Sequence, residues 1–161
     1  MNQTHIHLLI THLPIFGSIL GGLVLLHGIG TKSNQTIIAA YYIFVLSAIG
    51  AGIAYLTGEA AEETVENIQG VVESTIKMHE ESALYALISL ITLGVPSIVG
   101  LFLTFTNSPF IKTTALLILF ISFVSFGLVT RTGYLGGQIR HTEISNGVIV
   151  PSENSENEID D

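Results

Sequence analysis

Apolar residues fill four long stretches of this chain, and the charges fall between them. No Asp, Glu, Lys or Arg occurs from Met1 to Thr31, where the apolar part runs from Leu8 to about Ile29. Further uncharged runs extend from Ser33 to Gly58, from Ser82 to Ile111 and from Thr113 to Thr130. A helix crosses a bilayer with roughly 17–25 apolar residues, so every run is long enough. Strands of a membrane barrel would be about ten residues with a period of two, which these runs lack. The pattern predicts an all-α integral membrane four-helix bundle with spans at about 8–29, 36–57, 82–106 and 112–132.

The one charged stretch inside this apolar sequence is Thr57–Ser82. At helical spacing Glu59, Glu62, Glu63 and Glu66 share one face, and Val65, Ile68, Val72, Ile76 and His79 share another. An amphipathic acidic helix is therefore expected between spans two and three, on the membrane surface or capping the bundle. The linkers T-K-S-N-Q-T and T-N-S-P-F-I-K are short, with Pro109 in the second, so each pair of flanking spans forms an antiparallel hairpin. Four spans place both termini on the side of Thr57–Ser82. No repeat of fixed period is evident.

This topology gathers all 13 acidic residues at one end, in the middle segment and in the stretch beyond Gly133. His5, His7, His12, His79 and His141 join them, and Lys32, Lys112 and His27 lie at the other end. The numbers of Lys and Arg near the spans are too even to fix orientation. The other end is net positive, so the acidic end is expected to face outwards. Residues 146–161 are polar and acidic and are expected to form a mobile tail.

Composition agrees with the membrane reading, with 48% hydrophobic and 11% charged residues and a mean hydropathy of +0.63. The absence of Cys excludes disulfides, thiolate metal sites and thiol catalysis. A net charge of −8 excludes nucleic acid as a partner. The N-terminus lacks the basic region of a signal peptide, so its apolar run is expected to remain as a span.

Ionisable residues inside spans are costly and normally face a partner in the bundle, which draws attention to His12. Pro14 leaves the Ile10 carbonyl without its helical donor, close to that histidine. His79 opens the third span, on a face with Ala83, Ala86 and Leu90. Beyond the fourth span Gly133 and Gly137 form a small stripe that also carries Arg140 and His141. The candidate metal ligands are His12, His79 and His141, with Glu59, Glu62 and Glu63 as ligands or supporting groups. Gly133, Gly137 and Arg140 are candidates to cradle a cofactor, Arg140 as an anion partner. Each histidine also has a plain alternative, as a hydrogen bond between helices or a side chain among lipid head groups, and the glycines have packing. Imidazole and carboxylate together suit iron, copper or zinc, as haem b or as a non-haem ion.

The segments H-L-L-I-T-H-L-P-I-F-G, L-T-G-E-A-A-E-E, H-E-E-S-A and T-G-Y-L-G-G-Q-I-R-H-T-E-I resemble bacterial four-span membrane proteins of the domain-of-unknown-function 2231 type. The resemblance covers Met1 to about Ser145. It implies a redox-associated subunit of the bacterial inner (cytoplasmic) membrane that binds haem or metal, with no catalytic residue to carry over. The chain has neither a C-x-x-C-H motif nor Rieske ligands, so a redox partner would be another chain, a respiratory membrane protein or a second copy. The leading expectation is a metal- or haem-binding membrane protein supporting respiratory electron transfer, rather than a stand-alone enzyme. The alternatives are a small transporter or proton-relay subunit, and a purely structural subunit of a membrane complex.

Overall fold

The computed structural model describes residues 2–65 and 71–140. They form α1 (Gln3–Ile10), α2 (His12–Thr31), α3 (Asn34–Leu56), α4 (Gly58–Val65), α5 (Glu73–Phe105) and α6 (Ile111–Arg140). Four lengths are long and apolar enough to cross a membrane: Gln3–Thr31, Asn34–Leu56, Glu73–Phe105 and Ile111–Ile139. α2 packs on α3, α3 on α5, α5 on α6, and α6 back on α2, which closes a four-helix ring. The expected all-α membrane bundle is present.

Both hairpins turn in the same way. α2 stops at Lys32 in the left-handed conformation (φ 56°), and the Ser33 N–H reaches back to the Gly28 carbonyl at 3.0 Å. The Ser33 hydroxyl then accepts from the Thr36 N–H at 3.3 Å and starts α3. α5 stops at left-handed Asn107 (φ 52°), with the Ser108 N–H 3.0 Å from the Leu103 carbonyl. Ser108 in turn accepts from the Phe110 N–H at 3.3 Å. One left-handed residue thus satisfies carbonyls that a helix end leaves open, and the following serine caps the next helix.

The inward faces follow steps of three and four residues. They read Pro14, Ser18, Gly21, Leu25 and Gly28 on α2 and Ala40, Phe44, Ser47, Ala51 and Ala54 on α3. Ala86, Leu90, Leu93, Ser97, Gly100 and Thr104 continue the pattern on α5. Leu20, Leu46, Ile88, Ile98, Phe102 and Phe120 point outwards instead. Lipid supplies no hydrophobic force between helices, so close contact of small residues holds them. A Cβ at Gly94 would lie 2.6 Å from the Ala48 Cβ, and one at Gly21 would lie 2.6 Å from the Phe44 ring. Buried Ser47, Ser97 and Thr104 return their hydroxyl protons to carbonyls four residues back, which removes most of their burial cost.

Tyr41 is different. It is 0% exposed against Gly100, and among the described residues its hydroxyl has no hydrogen-bond partner. An unsatisfied buried hydroxyl costs about 1–3 kcal/mol, so Tyr41→Phe should leave stability unchanged or raise it by up to about that amount. Reversible unfolding in bicelles measures the difference, and a clear loss of stability would contradict this account.

The expected acidic helix between the second and third spans is present as α4, eight residues of which are described, and Val72 is extended (φ −102°, ψ 119°) ahead of α5. Glu73 to Glu81 belong to the third spanning helix, so His79 lies inside α5 and not at the end of a surface helix. Glu66, Ile68, His141 and the acidic tail lie outside the described residues.

The hairpins also repeat one another. His7, Gly22 and Gly28 stand at one constant spacing from His79, Gly94 and Gly100. Ala40, Ser47 and Thr57-Gly58 stand at another, slightly longer spacing from Ala115, Ser122 and Thr132-Gly133. The added length falls in the second turn, which is why no fixed period marks the sequence. Exchanging α2 with α5 and α3 with α6 reproduces the order of contacts around the ring.

Candidate functional site

The inward line of α2, read backwards through Leu25, Gly21, Ser18, Pro14 and Thr11, reaches His7 on α1. The helical ladder breaks at Thr11, next to Pro14, whose ring nitrogen has no hydrogen for the Ile10 carbonyl. α1 nevertheless packs on α3 and α4. His7 is half-buried, and its Nδ1 lies 2.8 Å from the Ala54 carbonyl and 3.4 Å from the Thr57 hydroxyl. A carbonyl only accepts, so Nδ1 carries the proton and donates. Nε2 is left with a free lone pair.

His79 repeats this arrangement in the second hairpin. Its Nδ1 donates to the Thr132 carbonyl at 3.0 Å, again leaving Nε2 as the bare nitrogen. The Thr132 and Ser82 hydroxyls share a 2.8 Å hydrogen bond beside it. Gly136 gives the ring its space, because a Cβ there would lie 3.0 Å from the His79 Cε1. Gly58 stands beside the His7 ring in the same way, at 3.7 Å from Cε1. Among the described residues neither Nε2 has a hydrogen-bond partner.

The other candidates are spread around this pair. His12 is exposed, donates from Nδ1 to the Leu8 carbonyl at 3.0 Å, and stacks on Phe16 with ring centroids 6.5 Å apart. It belongs to the outward face with Leu9, Phe16 and Leu20, so the structure does not bring it to His79. Glu59 and Glu63 are exposed on α4, and Glu62 is half-buried. α4 is tied to α1 by the Thr4 hydroxyl, which donates to the Ala60 carbonyl at 3.2 Å and bonds the Thr64 hydroxyl at 3.0 Å. α4 thus holds its carboxylates beside α1. Gly133 is exposed near Ile15, and Gly137 faces open space, so Gly136 is the glycine at the ring. Arg140 closes α6, and His141 is outside the described residues. Among the described residues no three His, Asp or Glu side chains group as a metal cage.

α5 has 33 residues, about 50 Å at 1.5 Å each, against a hydrocarbon layer of about 30 Å. Its charged first turns therefore extend past the lipid interior, and the histidine pair lies near the water boundary. An imidazole whose Nδ1–H is fixed by a carbonyl and whose Nε2 is bare is the usual form of a metal-binding histidine. Two such groups stand at one end of the bundle. The Thr132 hydroxyl bonds Ser82 and the Leu128 carbonyl and does not touch the histidine ring. Thr132→Val should therefore cost about 0.6 kcal/mol, typical of such bonds in membranes, and leave the histidine ring in place.

Comparisons with protein-family models, with curated proteins and with solved structures find no match for this chain. Fold and site together define a multi-pass all-α membrane protein with two histidines turned into one end of its bundle.

Proposed function

We propose that this chain is a membrane-embedded haem- or metal-binding protein that supports electron transfer, with His7 and His79 as its ligand pair. One observation carries the reading: each hairpin turns one histidine inwards and holds its Nδ1–H on a backbone carbonyl, leaving Nε2 free to coordinate. Haem iron already holds four macrocycle nitrogens, so two imidazoles complete it. A bare ion needs further donors, which Glu59, Glu62 or Glu63 on α4, or His141, would supply. The reading keeps the likeness to the four-span 2231-type family and its inner-membrane, redox setting, with a partner carrying the other redox centre.

The test is an absorption spectrum with elemental analysis of the protein purified from membranes, repeated after adding haemin, Fe2+, Cu2+ or Zn2+. A haem-type spectrum or one tightly held metal per chain is the expected result. A preparation that stays colourless and metal-free after every addition would overturn the reading. A structural reading also has support, because the same histidine bonds join helices. It predicts that those bonds stabilise the chain with no ligand bound at all.

A further inference from the structure

His7 and His79 match across the two hairpins, but the helices that carry them do not. α5 runs unbroken from Glu73 to Phe105 through His79, and it buries Ile76, Ser82 and Ala86 on either side of that ring. In the first hairpin the ladder breaks at Thr11, and Pro14 leaves the Ile10 carbonyl without its helical donor. At the spacing that relates His7 to His79, Pro14 is matched by Ala86, so the break has no counterpart in α5. α2 alone has 20 residues, about 30 Å at 1.5 Å each, which is enough to cross the hydrocarbon layer. α1 therefore lies beyond it, at the water boundary. None of the α1 residues is buried. Its side chains fasten it by hydrogen bonds, His7 to Ala54 and Thr57 on one side and Thr4 to Ala60 and Thr64 on the other. Water can replace bonds of this kind at small net cost, whereas freeing His79 would unpack a buried helix face.

We propose that α1 is a hinged arm, and that the ligand of His7 and His79 enters and leaves as His7 swings about Thr11–Pro14 while His79 stays fixed. This rests on the haem- or metal-binding reading above. In the closed arm the His7 Nδ1–H sits on the Ala54 carbonyl of α3, so the bond that orients the ring also latches the arm. Opening breaks the latch and withdraws Nε2 together, and water takes up the freed donor and carbonyl. Affinity then belongs to the closed arm, and the rate of exchange to how often it opens.

The chain has no cysteine, so a pair introduced together meets no competing thiol. Thr4→Cys with Thr64→Cys, at positions whose hydroxyls lie 3.0 Å apart, can bridge α1 to α4 without altering either histidine. The full chain in nanodiscs is loaded with haemin or with Zn2+, and release is timed into excess apomyoglobin or a chelating dye. Exchange through local opening follows the open population, so the bridge should slow release about tenfold or more against the unsubstituted chain. Uptake should slow in parallel, so that affinity moves less than either rate. Reducing the bridge and blocking its thiols should restore fast release. Thr4→Ala removes a fastening far from either ring and should speed release about fivefold, the worth of one ordinary hydrogen bond. Pro14→Ala returns a donor to the Ile10 carbonyl and should slow release with no disulfide needed. Release that neither the bridge nor Pro14→Ala slows would overturn the arm and leave the binding reading standing. Failure of both haemin and Zn2+ to bind would overturn both.

Discussion

Replacing either inward histidine, as His7→Ala or His79→Ala, is expected to weaken haemin or transition-metal binding by about a hundredfold or more, while His12→Ala leaves it unchanged. Loss of an outer partner alone typically costs 10–100-fold, and loss of the ligand itself should exceed that. The discrimination between His7 and His12 comes from orientation. The His7 ring is held inwards against Ala54, and the His12 ring lies along its own helix on the outward face, over Phe16. Both variants remove one imidazole near the same end, so a surface effect would move both alike. Titration of purified protein, followed at the haem absorption band or by competition for metal, gives the three affinities. Equal losses for His7 and His12 would place the site on the outside. A further comparison is Gly136→Ala, whose methyl group would press on the His79 Cε1 at 3.0 Å and tilt its Nε2 out of line. An effect comparable to His79→Ala would show that ring placement is as necessary as the ring.

The fold was legible in the sequence because a bilayer reads length and polarity alone. Four uncharged runs and two short linkers define the hairpins without any packing detail. The facing of each helix was legible too, but through the wrong residues. In water an inward face is marked by large apolar side chains, whereas here many Leu and Phe face outwards and the inward line of α2 is mostly Gly, Ser and Pro, with Leu25 among them. Following the small residues from Gly28 at steps of three and four arrives at His7. The equally regular stripe through His12 and Phe16 is exposed instead. His79 was legible through the face it shares with Ala83, Ala86 and Leu90, of which the structure buries Ala86 and Leu90. The length of α5 was not legible, since the charges at Glu73, Lys77, Glu80 and Glu81 end the apolar run without ending the helix. Those side chains are exposed, and Glu73 pairs with Lys77 at 2.7 Å on the outer surface. Charge marks where a helix leaves the lipid, and helical hydrogen bonding continues past that level. The partial twofold repeat was hidden by the extra residues in the second turn. The match lies in His, Gly, Ser and Thr positions that meet the partner helices, while the lipid-facing positions vary freely.

The second large effect is expected from a single methyl group. Gly94→Ala should destabilise the bundle by about 1–3 kcal/mol, the usual cost of overpacking. Its Cβ would come within 2.6 Å of the Ala48 Cβ, and neither methyl can rotate away because each is fixed to its own backbone. Relief therefore requires α3 and α5 to separate. Gly52→Ala is the matched control, since no atom lies within 4 Å of the new methyl, and the higher helix propensity of alanine should leave stability unchanged or slightly improved. Unfolding of the two variants in bicelles separates steric conflict from the general effect of removing a glycine. Gly94 also lies where the hairpins meet, so separation there widens the gap that a ligand between His7 and His79 must span. Gly94→Ala should then lose affinity for haemin although it touches neither histidine, and Gly52→Ala should not. Stability loss without affinity loss would mean that the histidine end adjusts independently of the contact between α3 and α5 midway along the bundle.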